Sequence, residues 1–302
     1  MRVPGFVFAA LVIASCSKAP IPGPKIDPAL AGLIPSDSTT LLGLRLEALQ
    51  KTDIYKKSLE KRTFPQITGF AQKTGIDTKN LWELLYVSNG KNGALIGRGK
   101  FTDESEPRLG THEDKRFNYK GVNLVGNDQT AILLIGPTVL AVGDTPELEA
   151  FVDAREKSGG PPPPLVALLK DIPPNSHVWA AFSGGPPPLP QGLKGNLSNL
   201  NTMMSFIQRG TFALDFTSGM NGLATGTSGN EKDAEQLEGG LKALVGFGRL
   251  STPANQPDLQ QAWDGLRPTR EGVDVKLHIE ERPEVIDRLL TLLLGRQSSG
   301  SN

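Results

Sequence analysis

Hydrophobic and polar residues alternate along several stretches of the chain. Apolar residues occupy every second position in 273–279, which predicts a strand with one buried and one solvated face. The same period of two predicts strands at 212–216 and 117–119. Tight hairpins are expected at Asn92-Gly93 and Asn221-Gly222, because both residue types tolerate a positive φ angle. These signals favour antiparallel pairing, since buried parallel strands are apolar on both faces.

Other stretches repeat their apolar residues every three or four positions, which predicts amphipathic helices. The clearest is 283–295, with a proline in its first turn and a glycine suited to its C-terminal cap. A second helix is expected from Thr145 as N-cap, and a third over 234–245. Residues 46–62 predict one or two more helices, with a break at Thr52.

Three short motifs occur twice, in the same order. Residues 34–38, 89–93 and 145–148 return as 172–176, 218–222 and 282–285, at offsets of 138, 129 and 137 positions. Strand-like runs follow both copies of the first motif. The sequence therefore predicts an α+β fold made of two diverged copies of an antiparallel sheet, each with helices packed on one face.

The N-terminus has the pattern of a secretory leader. Arg2 precedes an apolar run at 6–13, far shorter than the ~20 residues that span a bilayer, and small residues follow it. Residues 13–16 are Ile-Ala-Ser-Cys, and this cysteine is the single one in the chain. The motif resembles the lipobox of bacterial envelope lipoproteins.

That resemblance implies cleavage before Cys16, a diacylglyceryl group on its sulfur and an acyl chain on its new amino terminus. Two or three acyl chains anchor a protein durably, whereas one chain binds a membrane only marginally. Ser17 follows the cysteine in place of aspartate. In this family that implies sorting to the outer membrane, facing the periplasm. The resemblance covers only the leader and implies nothing about activity.

These observations predict the organisation of the chain. Consecutive prolines in 158–164 neither continue a helix nor donate to a sheet, so this segment is expected to connect the two copies. The expected parts are a signal peptide at 1–15, a lipid anchor and proline-rich tether at 16–33, a first repeat at 34–157, the connector at 158–164, a second repeat at 165–295 and a flexible tail at 296–302.

Composition limits the kinds of functional site that the chain can contain. Lys plus Arg total 32 and Asp plus Glu total 32, so no basic surface for nucleic acid is expected. A single cysteine excludes an internal disulfide or a CxxC pair, and His112, His177 and His278 lack zinc-site spacing and are expected at the surface. Neither a G-x-S-x-G elbow nor a phosphate-binding G-x-x-x-x-G-K-[ST] motif occurs. We expect no catalytic residue, metal or cofactor, and Cys16 is the predicted site residue.

The leading hypothesis is a non-catalytic, membrane-anchored envelope lipoprotein that acts as a binding or scaffolding module, with an envelope protein as partner. Two alternatives stay open. A carrier of an apolar or glycan ligand held between the two repeats predicts a large pocket there. A hydrolase that uses carboxylates in the inter-repeat cleft predicts two or more acids converging in a concave site.

Overall fold

The structure is a computed structural model that describes residues 23–60, 71–72, 76, 78–101, 114–186 and 202–295. Cys16, the predicted signal peptide, His112 and the predicted tail at 296–302 lie outside the described residues. Within the described part of the chain, no helix has the length and apolar character needed to cross a membrane.

The described strands form a single sheet in which all neighbours are antiparallel, in the order β11-β12-β10-β9-β8-β1-β2-β3-β7-β6-β5-β4. The strands are β1 (Thr40–Leu44), β2 (Leu81–Ser88), β3 (Gly93–Gly99), β4 (Lys115–Tyr119), β5 (Val122–Gly126), β6 (Thr130–Leu134), β7 (Val139–Asp144), β8 (Val178–Ser183), β9 (Ile207–Asp215), β10 (Met220–Ser228), β11 (Leu266–Glu271) and β12 (Asp274–Glu281).

The α-helices are α1 (Pro28–Ala31), α2 (Leu46–Gln50), α3 (Thr145–Ala154), α4 (Pro163–Leu169), α5 (Glu231–Ser251), α6 (Pro257–Asp264) and α7 (Pro283–Gly295). A π-helical turn, Tyr55–Leu59, follows α2. The expected break at Thr52 is confirmed: its hydroxyl donates to the Leu49 carbonyl at 2.7 Å and accepts from the Tyr55 N–H at 3.2 Å.

The α+β class and the antiparallel pairing are confirmed, but the expected two sheets are joined into one. β1 pairs over its whole length with β8 at the centre. Left apart, each would present a free edge of N–H and C=O groups, and mutual pairing satisfies both edges. The expectation that helices pack on one face is wrong, because α3 and α2 pack on opposite faces of the first half of the sheet.

The first face of the sheet, which carries Leu41, Ile96 and Trp179, packs against α1, α3 and α4 in the largest core. The opposite, second face is covered in two places. At β2 it lies under α2, next to a core that includes Leu140. At β10, β11 and β12 it lies under α5, whose Ala234 and Leu237 pack on Val275.

The two halves of the sheet have the same strand order from the centre outward. The first half is β1-β2-β3-β7-β6 and the second is β8-β9-β10-β12-β11, while β5 and β4 extend the first half. At the centre Leu42 faces Ala180, which stands 138 positions later. This is the offset between the two copies of the first motif.

Local geometry around that motif also matches. Ile34 and Ile172 are both buried. Ser38 and Ser176 each donate their N–H to the proline three positions earlier, at 3.1 and 3.2 Å. Two successive pairings lead from Thr40 and Val178, which are 138 positions apart, to Gly93 and Gly222, which are 129 apart. The second offset equals that of the second motif.

Three local predictions differ from the structure. Gly222 lies inside β10, and the turn before it contains Gly219 (φ 137°). In the β2–β3 turn the positive φ belongs to Gly90, not Gly93. Asp144, not Thr145, is the N-cap of α3, since the Thr145 hydroxyl donates to the Asn127 carbonyl at 2.6 Å.

Two predicted boundaries also shift. α1 lies inside the expected tether, and Leu30 is fully buried in the largest core, so the described part of the tether, 23–33, packs on the domain. α4 begins at Pro163, inside the expected connector. Proline is tolerated in a first helical turn because its missing N–H has no helical partner there.

Candidate functional site

The second face of the sheet carries apolar side chains across the junction of the two halves. Paired residues share a face, so the register defines two rows across β1, β8, β9, β10 and β12. The rows are Leu42, Ala180, Phe212, Ala224 and Leu277, and next to it Leu44, Val178, Leu214, Gly222 and Ile279.

We call the part on β1, β8 and β9 the central apolar face: Leu42, Leu44, Val178, Ala180, Phe212 and Leu214. Leu42 is 40% exposed and the other five are half-buried. α2 packs on β2, and α5 packs on β10, β11 and β12. The strands β1, β8 and β9 lie between these two helices. At ~4.8 Å between strands, each five-residue row is about 20 Å long. An exposed apolar surface of this kind is typical of a binding site.

A second set of apolar residues lies on α5, outside the central apolar face. Gly240, Ala243, Phe247 and Leu250 follow each other at helical spacing, and Gly240 lies against Met203, which precedes β9. Phe247 is 54% exposed and Leu250 is 88% exposed. The C-terminal half of α5 therefore presents apolar side chains that its own packing leaves in solvent.

His177, expected at the surface, instead joins the two halves beside the central apolar face. Its side chain is buried, and Nδ1 accepts from the Phe216 N–H at 3.1 Å. The Arg45 N–H donates to the His177 carbonyl at 2.8 Å. Burial lowers the pKa of His177, Asp215 raises it and Arg45 lowers it further. The neutral ring is thus a structural acceptor. His278 is exposed on the first face, as expected.

A pocket of about 500 Å³ lies where the two halves meet at one end of the sheet. Asp53 and Lys57 line it from the first half, and Glu284 and Asp287 line it from the start of α7. Asp53 pairs with Lys57 at 3.8 Å, and both side chains are largely in solvent. Among the described residues, no group of three His, Cys, Asp or Glu side chains is arranged to hold a metal ion.

Glu281 is a buried carboxyl that the sequence analysis missed. It ends β12 on the second face, and its Oε1 has no hydrogen-bond partner in the part of the chain that the structure describes. Burial raises its pKa to about 7, Arg282 lowers it, and Asp264 and Glu280 raise it. The signal was present in the sequence, because Glu281 continues the apolar alternation of Val275, Leu277 and Ile279.

We expect Glu281→Gln to change how stability depends on pH. The folded state holds the carboxyl proton more tightly than the unfolded state, so this contribution is full below pH 4.5 and is lost as pH rises through about 7. Relative to the variant, the wild type should lose on the order of 1–3 kcal/mol of unfolding free energy between pH 5 and 8. Urea denaturation between pH 5 and 8 measures this change in the free energy of unfolding. The control is Glu284→Gln, because that exposed carboxyl does not act on the Glu281 pKa. Equal slopes for wild type and Glu281→Gln would contradict the assignment.

The comparisons with known proteins concern the fold. No protein-family model and no curated protein matches the chain. Crystal forms I, III and IV of the protein TP0453 match 89% of the chain and 98%, 99% and 97% of theirs. The identities are 12%, 11% and 11%, and the TM-scores are 0.47, 0.50 and 0.44. The chain resembles TP0453 in fold.

At this identity the likeness to crystal form III concerns architecture alone. It does not extend to a ligand, a partner or a location.

Proposed function

We propose that this chain is a membrane-anchored envelope lipoprotein, held by lipid on Cys16, whose domain is a non-catalytic binding module. The lipobox supports the anchor, and Ser17 supports the outer membrane, facing the periplasm, as its location. The central apolar face is the observation that carries the binding role. Burying apolar area yields about 25 cal/mol per Å², and this surface lies half in solvent at the middle of the sheet.

We further propose that the domain arose by duplication of one α+β unit. The matching strand orders and the two offsets of 138 and 129 positions, seen both in the motifs and in the register, support this. Leu42 and Ala180 then occupy equivalent positions and face each other on the pseudo-twofold axis. The central apolar face is the surface that duplication produces at the junction.

The ligand we favour is an elongated apolar molecule lying across β1, β8 and β9. The face combines aliphatic side chains with Phe212, and its backbone groups are already paired within the sheet. Such a surface supplies few hydrogen bonds for a glycan, which needs polar partners for its hydroxyls. With a single sheet, this ligand would lie on one face and not between two sheets.

Replacing Leu42 by glutamine should weaken binding of an apolar fluorescent probe, such as anilinonaphthalene sulfonate, by about tenfold. Leu42 is the most exposed leucine of the central apolar face, so a polar amide there disrupts the surface without disturbing a core. Probe titration followed by fluorescence measures the affinity. Leu250→Gln is the matched control, since that leucine is even more exposed but stands at the end of α5. Equal loss in both variants would contradict the proposed site.

Replacing Cys16 by alanine should move the protein from the membrane fraction to the soluble fraction of cells. The variant lacks the thiol that accepts the diacylglyceryl group, and no other cysteine substitutes for it. Fractionation followed by immunoblotting measures the shift, and mass spectrometry of the wild type detects the acyl groups. A bare thiol on wild-type Cys16 would refute the anchor.

A further inference from the structure

The segment that follows the predicted anchor is attached to the domain at several points. Gly23 lies against the Leu169 carbonyl at the end of α4, too close for any side chain. Ile26 packs on the largest core, and Asp27 Oδ2 accepts from Arg98 Nε at 3.2 Å. The chain is therefore held to the folded domain from Gly23 onward.

This attachment limits the distance between the domain and the membrane. Seven Cα–Cα steps separate Cys16 from Gly23, and an extended chain advances at most about 3.6 Å per residue. Gly23 therefore lies within about 25 Å of an acylated Cys16, whatever path the chain takes. So short a link keeps the surface around Gly23 and Asp27 close to an acylated anchor.

The chemistry of that surface suits a bilayer. Trp82 is 38% exposed, and the Arg98 guanidinium lies 5.4 Å from the centroid of its ring. Tryptophan is favoured at membrane interfaces, where its ring contacts apolar tails and its N–H contacts polar groups. Three exposed lysines lie along the same stretch: Lys25 on the attached segment, Lys170 beside Gly23 and Lys100 just after β3.

We call these five residues, Lys25, Trp82, Arg98, Lys100 and Lys170, the tether patch. Three neighbouring acids offset most of its charge: Asp27 pairs with Arg98, Asp171 is exposed next to Lys170, and Glu83 Oε1 accepts from the Asp27 N–H at 3.4 Å. Four cations against these three carboxylates leave the patch with an excess of one positive charge. Each basic residue near an anionic bilayer surface contributes about 1 kcal/mol of attraction.

We propose that the tether patch rests on the lipid surface, with Trp82 and the three lysines in contact with anionic headgroups. This proposal depends on the proposed acylation of Cys16, because the short link to the anchor is what brings the patch to the bilayer. It sets the orientation of the domain: the end of β3 that carries Lys100 faces the membrane, and the β2–β3 turn with Lys91 points away.

Site-specific labelling tests this orientation in the acylated full-length protein. Cys16 is the single cysteine and is blocked by acylation, so a new cysteine accepts a fluorophore selectively. Lys100→Cys and Lys91→Cys are matched variants, because both replace exposed lysines, at opposite ends of β3 about 23 Å apart. Each labelled protein is reconstituted in vesicles of phosphatidylethanolamine and phosphatidylglycerol that contain headgroup spin-labelled lipid.

We expect at least threefold stronger quenching at position 100 than at position 91, and weaker quenching at position 100 when Lys25 and Lys170 are both replaced by glutamine. Equal quenching at the two positions, or stronger quenching at position 91, would overturn the orientation while leaving the anchor intact. Absence of acyl groups in the mass spectrum of the wild type would instead refute the proposed function, and the orientation with it.

Discussion

Replacing Gly43 by alanine should destabilise the domain by about 3 kcal/mol, a value in the range found when methyl groups are forced into packed cores. Gly43 lies directly opposite Trp179 across the β1–β8 pairing. An added Cβ would overlap the indole ring, which is fully buried and cannot move aside. Urea denaturation of wild type and variant measures the difference. The loss matters for function because this pairing joins the two halves beneath the proposed binding surface.

Two further variants test the same contact between Gly43 and Trp179. Gly239→Ala, in α5, meets no other atom of the described residues and should stabilise the domain by up to about 1 kcal/mol, since alanine favours helix over glycine. Trp179→Phe replaces the indole by a smaller ring and removes an indole N–H that has no partner among the described residues, so it should recover part of the loss in the Gly43→Ala background. A Gly43→Ala variant as stable as wild type would contradict the close packing at the centre of the sheet.

Replacing Leu30 by alanine should cost about 3 kcal/mol, as is typical for truncation of a fully buried leucine. Leu30 belongs to α1, in the segment expected to be a free tether, and it packs in the core with Ile34 and Leu165. A free tether would predict no effect at all. Thermal or urea denaturation distinguishes the two cases.

Leu250→Ala is the matched control for Leu30→Ala, since it makes the same chemical change at a side chain that is 88% exposed. It should alter stability by less than about 0.5 kcal/mol. If Leu30→Ala were equally neutral, the segment from Gly23 onward would not be part of the fold, and the short link to the membrane surface would lose its basis.

The elements with strong local signals were predictable from the sequence. The period of two along β12 and the helical spacing in α5 and α7 gave their types, because a half-buried element must present apolar residues on one side. The order of the repeated motifs also anticipated the matching strand order of the two halves. The joining of the halves was not predictable, since the β1–β8 pairing links strands that are far apart in sequence.

The residues of the candidate site also include some that the sequence predicts and some that it does not. Leu42, Phe212 and Leu214 are ordinary strand residues in the sequence, and their half-exposed state depends on where α2 and α5 lie. His177 had no local feature to show that it is buried, because its environment is made by Asp215, Phe216 and Arg45 from other elements. Glu281 differs, because its place in the alternation of β12 indicates an inward side chain.

The sequence by itself determined the α+β class, the antiparallel pairing and most element types, because these follow from periodicity within short segments. It also contains the leader and lipobox pattern on which the predicted anchor at Cys16 depends. Only the tertiary structure decided that the two halves share one sheet, that helices cover both of its faces and that the chain is attached from Gly23 onward. Those features arise from contacts between distant segments, whose free energies no local pattern encodes.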